Sequence, residues 1–144
     1  MSESLPSSLS QPVILGFDPG RQKCGVAVMG LDRSLQHHQV VAADQAIAEI
    51  KALRSRFPIS TIVLGDQTSS KHWKQTLGQL PDPPRIMLVD ERYTTLEARD
   101  RYWQMYPPAG LAGWLPQSLR KIPRPIDDIV AILLIERYLN RLTS

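Results

Sequence analysis

Five carboxylates stand out because each closes an apolar run or opens one: Asp18 in ILGFDPG, Asp66 in ISTIVLGD, Glu91 in RIMLVDE, and the adjacent Asp127 and Asp128 in IDDIVAILLIERYL. Each has a local explanation. Asp18 precedes a Pro-Gly pair suited to a β-turn, and Asp127 and Asp128 stand where a helix begins, an end that favours negative charge. Brought together, three or four such acids repel one another unless a cation sits among them. Oxygen-only ligands suit a hard cation, Mg²⁺ or Mn²⁺, and the sequence offers no Cys/His spacing for zinc. Two such ions roughly 4 Å apart can activate water and stabilise the leaving oxygen in phosphodiester cleavage.

For the acids to meet, the chain must bring several element ends to one place. Val13 to Phe17 and Gly25 to Met29 are short apolar runs around the turn-rich DPGRQK, which predicts a hairpin, and QHHQVVAA supplies a third strand of an antiparallel meander. The period then changes. Between Asp44 and Phe57 apolar residues recur at three- and four-residue steps, an amphipathic helix stopped by Pro58. ISTIVLGD and RIMLVDE read as buried strands with the helix TSSKHWKQTLGQL, started by Ser or Thr, between them. Thr94 followed by Glu97 has capping-box spacing, so a helix starts at Thr94 and the strand before it ends near Glu91. From Tyr106 to Pro125, five of the twelve prolines mark a long irregular loop with one turn of helix in GWLPQSL. The final helix, apolar around most of its circumference, packs on the sheet. Two strand-helix-strand crossovers after a meander make an α/β fold, a mixed sheet covered by helices. Strands joined by such crossovers run parallel, so their carboxyl ends share the edge at which open α/β sheets bind ligands.

The 144 residues fit one domain, residues 13–144, behind a solvated N-terminal tail, residues 1–12. That opening, MSESLPSSLSQP, lacks the basic start and apolar core of a signal peptide, and no apolar run is long enough for a bilayer, so no membrane partner is expected. The single Cys24 excludes an intrachain disulfide and agrees with a reducing cytoplasm. Seventeen basic against fourteen acidic residues, a net +3, permit an anionic partner without requiring one. Oligomeric state is left open, a homodimer included.

GFDPGRQKCGVAV, VDERYTTLEAR and IDDIVAILLIERYL, in that order and spacing, resemble the YqgF family, the RuvC-like proteins of the RNase H-like superfamily. The resemblance runs from Ile14 to Leu139. It implies a five-stranded mixed sheet of order 3-2-1-4-5 flanked by helices, and a Mg²⁺-dependent nuclease site. Family members are linked to trimming the ends of precursor 16S ribosomal RNA or described as Holliday-junction resolvases. By the resemblance Asp18 is the first-strand carboxylate, Glu91 the acid of DERYTT, and Asp127 or Asp128 the acid opening the last helix. The apolar tail aligns on Asp127, and one residue of slip selects Asp128, so all four are candidate catalytic and metal-binding residues. The chain departs from its relatives at LGDQTSSKHW, where many carry a Gly-Leu-Pro loop, and in the length of its proline-rich loop.

Basic side chains fall around these acids: Lys71 and Lys74 beside the fourth strand, Arg92 and Arg99 beside Glu91, and Arg120, Lys121 and Arg124 before the aspartate pair. They are candidates to hold the phosphates of a structured RNA or a DNA junction. Trp103, Tyr106 and Trp114 either stack on unpaired bases or bury the loop. His37 and His38, adjacent on a strand, point to opposite faces and are poorly placed to share a metal. Ser70 lacks the flanking glycines and the base of a nucleophile elbow. The alternative from another class is a non-catalytic nucleic-acid-binding protein of the same fold. An actin-like nucleotide cleft needs two such domains, more chain than this.

Overall fold

A computed structural model describes residues 11–67 and 69–143; most of the expected N-terminal tail, residues 1–10, lies outside them. Three strands open the fold, β1 (Val13–Asp18), β2 (Lys23–Gly30) and β3 (Leu35–Ala42), followed by a 3₁₀ turn at Ala43–Gln45 and α1 (Ala46–Arg56). Then come β4 (Ile59–Gly65), α2 (Ser70–Gly78), β5 (Arg85–Val89) and α3 (Thr94–Met105). The proline-rich loop carries two 3₁₀ turns, Gly110–Trp114 and Gln117–Leu119, before α4 (Asp127–Thr143).

The strands form one sheet of order β3-β2-β1-β4-β5, the order expected. β2 runs antiparallel to both β1 and β3, whereas β4 runs parallel to β1 and β5. The carboxyl ends of β1, β4 and β5 therefore lie along one edge. Alternation along each strand splits the core in two. Leu15, Phe17, Val26, Ile62 and Leu64 face α1 and α2, while Ile14, Ala27, Met29 and Val63 face α3 and α4. α4 is buried without a break from Asp128 to Ile135, which explains a sequence apolar almost all round. Burying each of its Leu and Ile side chains contributes about 1.5–3 kcal/mol.

The β5 edge is closed by α4. Arg137 Nη1 donates to the Asp90 carbonyl at 2.6 Å and Arg141 Nη1 to the Leu88 carbonyl at 2.9 Å, which occupies acceptors that an edge strand otherwise offers to another chain.

The start of α3 differs from the expected capping box. The N-cap position belongs to Tyr93, in the left-handed region at φ 66°, with no side-chain cap bond. Thr94 instead lies inside the first turn, where its hydroxyl donates to the Glu91 carbonyl at 2.8 Å and its N–H to the same oxygen at 3.2 Å. Glu97 is drawn across to Arg137, at 2.7 Å. The tight 91–94 turn satisfies the backbone that a capping box would have served. At α2 the N-cap is Ser69, likewise without a side-chain cap bond.

Candidate active site

Asp18 ends β1 on the face that carries Ile14 and Gly16, beneath α4, and its register partner on β2 is Gly25. That glycine decides where α4 begins. A methyl group at Gly25 would overlap the Asp127 carbonyl and lie 2.6 Å from the Asp128 nitrogen, so only glycine lets the helix start rest on the strand beside Asp18. Gly65, at the end of β4, plays the same part for Glu91, whose carboxylate lies where a Cβ would stand. Glu91 leans across β4 towards β1, its Oε1 accepting the Gln67 N–H at 3.1 Å.

The electrostatics record the gathering. Burial, then the charges of Asp127 and Glu91, push the Asp18 carboxyl up from 3.8 to about 7. Burial also raises Glu91, helped by the charge of Asp66 and opposed by the Gln67 N–H. Asp127 is raised by burial and by Asp128 and lowered by Lys23. Among the described residues no three His, Cys, Asp or Glu side chains form a ready-made metal cage. The donor chemistry of Asp18, Glu91 and Asp127 is nonetheless oxygen-only and matches a hard cation, whose charge would relieve their repulsion.

Asp128 faces elsewhere. It is 2% exposed, with Oδ2 accepting from His38 Nδ1 at 2.6 Å and Oδ1 from Arg124 Nη1 and the Ile129 N–H, both at 3.0 Å. The carboxylate thereby ties β3 and the end of the proline-rich loop to the first turn of α4. Arg124 also lies over the rings of Tyr102 and Tyr106, at 5.5 and 5.6 Å. Of the two aspartates that sequence left open, Asp127 is the one beside Asp18.

The expected basic residues divide. Lys71 and Lys74 are exposed on α2, on the sheet face opposite α4. Arg92 is exposed and paired with Asp90 at 3.0 Å. Arg99 lines a surface pocket with Leu96 and Gln104 on α3. Arg120 covers Trp103 at 5.6 Å and donates to the Leu115 carbonyl, whereas Lys121 is exposed. Of the aromatics, Trp103 and Tyr106 lie beneath arginines and Trp114 is 86% exposed.

Two residues of the site escape sequence reasoning. The charge of Lys23 acts on Asp127 because Lys23 shares a strand face with Gly25, and His38 reaches Asp128 across 90 residues of chain. The hairpin alternation could have found Lys23; nothing local marks His38.

No helix among the described residues is long and apolar enough to cross a membrane. The chain is 27% identical over 142 residues to a Coxiella burnetii protein named "Putative pre-16S rRNA nuclease", covering 89% of this chain and 92% of that one. A Methylobacillus flagellatus protein of the same name is 26% identical over 155 residues, covering 96% and 98%. A solved structure titled "T. thermophilus RuvC in complex with Holliday junction substrate" superposes with a TM-score of 0.49 at 19% identity, covering 93% of this chain and 98% of that one. The family model described as "RuvX: Holliday junction resolvase" matches residues 12–141. With residues 12–141 matched, this chain belongs to the RuvX family.

Proposed function

We propose that the chain is a nuclease that hydrolyses phosphodiester bonds with a divalent cation, Mg²⁺ or Mn²⁺, held by Asp18, Glu91 and Asp127. The observation that carries this reading is the gathering of three carboxylates at one sheet edge, where burial first and then the charges of Asp127 and Glu91 push the Asp18 carboxyl up to about 7. Such crowding costs folding free energy, and a site that keeps it serves a cation better than it serves the fold. The proposed substrate is the end of precursor 16S ribosomal RNA, after the names of the C. burnetii and M. flagellatus relatives. A cytoplasmic location goes with that substrate.

A bound divalent ion supplies the charge that lets the three acids ionise together, polarises a phosphate oxygen and lowers the pKa of a water. The chain's own residues set the geometry. Asp18 and Asp127 are spaced by strand pairing and by the helix start seated on Gly25. Glu91 is aimed by Gly65 and by the Gln67 N–H. Asp128, with both oxygens engaged, positions the helix start. Lys71, exposed in the first turn of α2 just after β4, adds positive charge for the phosphates beyond that strand end.

The test is cleavage of a precursor 16S RNA fragment with Mg²⁺, with chelator, and by Asp18→Asn. Chelation and the substitution should each abolish cleavage; undiminished cleavage by a folded Asp18→Asn protein refutes the assignment. A second reading, a DNA junction as substrate, is favoured by the family description. A four-way DNA junction cut faster than the RNA would select it.

A further inference from the structure

Lys23 stands two residues before Gly25 on β2 and so projects from the same face of the sheet, beside Asp127. Its charge is felt at the Asp127 carboxylate, which places the ammonium within electrostatic reach of the acidic centre. From there a groove of about 450 Å³ runs along the end of β3. Its floor is the apolar stretch from Val40 to Ala42, with Lys23 on one side and Arg124 and Pro125 on the other. The volume lies within the ~300–1,000 Å³ of ordinary small-molecule sites. Arg124 is a fixed wall, held by Asp128 at 3.0 Å and stacked on Tyr102 and Tyr106, so its charge is largely answered from within. Lys23 has no ion pair among the described residues and faces the groove. A cation above an apolar floor suits a ligand that is anionic at one end and flat and weakly polar at the other.

We propose that this groove holds the unpaired nucleotide next to the bond hydrolysed at the acidic centre, with its phosphate on Lys23 and its sugar and base over Val40 and Ala42 against Pro125. The proposal rests on the nuclease reading and deepens it: a base fits here only when unpaired, so the substrate is single-stranded at this position. The fit is one of charge and shape and demands no particular base.

The experiment measures binding of a fluorescein-labelled single-stranded RNA 12-mer to the full chain by anisotropy, in chelator so that cleavage does not intervene. Lys23→Gln should weaken binding about tenfold, the ~1.4 kcal/mol expected of one contact between charged groups. It should also lower the slope of log affinity against log salt by about 0.7, one phosphate contact on a single strand. Ala42→Ile, at an exposed position, fills the groove without changing charge or offering a ring for a base to stack on, and should weaken binding to a similar degree. Lys51→Gln, exposed on α1 across the sheet, should change neither. If the wild type binds and cleaves while Lys23→Gln and Ala42→Ile bind as it does, the groove assignment is overturned and the nuclease reading stands. If the wild type neither binds the RNA nor cleaves with Mg²⁺, the nuclease reading falls and the groove falls with it.

Discussion

Asp18 is opposed by its surroundings in three ways, and that makes its removal a quantitative test. In the unfolded chain its carboxyl releases its proton near 3.8, whereas in the folded chain burial first, then Asp127 and Glu91, hold the proton until about pH 7. Between those values the folded protein binds the proton that the unfolded chain has lost, so stability falls as pH rises through this window. Below about pH 4 both states are protonated and the effect vanishes. At about 1.4 kcal/mol per pH unit the full loss is about 4 kcal/mol; partial exposure and solvent screening reduce the expected value to about 2 kcal/mol. Asp18→Asn keeps the shape and removes the titration. In chelator, urea unfolding followed by circular dichroism should find the variant close to the wild type at pH 4 and more stable by about 2 kcal/mol at pH 8. Saturating Mg²⁺ should raise wild-type stability at pH 8 more than that of the variant, by mass action on the folded state. A stability difference that does not change with pH, or a variant less stable than the wild type at pH 8, refutes the reasoning.

Three further substitutions separate the roles of neighbouring residues. Glu91→Gln should lower cleavage at least about 100-fold, ~2.7 kcal/mol of transition-state stabilisation, with its melting temperature near that of the wild type; single-turnover assays read the first and calorimetry the second. Asp128→Ala leaves His38 and Arg124 without their shared partner and should cost about 3–5 kcal/mol in denaturant unfolding. Gly25→Ala drives a methyl group into the Asp127 carbonyl; it should destabilise by about 1–3 kcal/mol and weaken divalent binding measured by calorimetric titration.

Much of this was legible in the chain itself. Apolar runs ending at Asp18, Gly65 and Val89, separated by helical periods, dictate parallel strands whose carboxyl ends share an edge, and the sheet has that order. The choice between Asp127 and Asp128 was not legible. Adjacent residues at a helix start differ by about 100° in direction, and which of them meets Asp18 depends on how α4 sits on Gly25, a contact between residues about a hundred positions apart. The capping box at Thr94 failed for a related reason: Glu97 found a stronger partner in Arg137, on a helix that local spacing cannot see. Arg124 read as a phosphate ligand because its charge is visible in sequence, whereas the buried carboxylate and the two rings that hold it are not.

The arginine caps on β5 also have a consequence in time. Arg137 follows Asp90 by 47 residues, so at about 5–20 residues per second a ribosome needs roughly 2–9 s to make the residue that closes that edge. Until then the Leu88 and Asp90 carbonyls lack the arginines that cover them in the finished fold. Asp127 belongs to the same late segment, so the crowding of acids, with its cost, arises only once the helix able to hold it in place is being made.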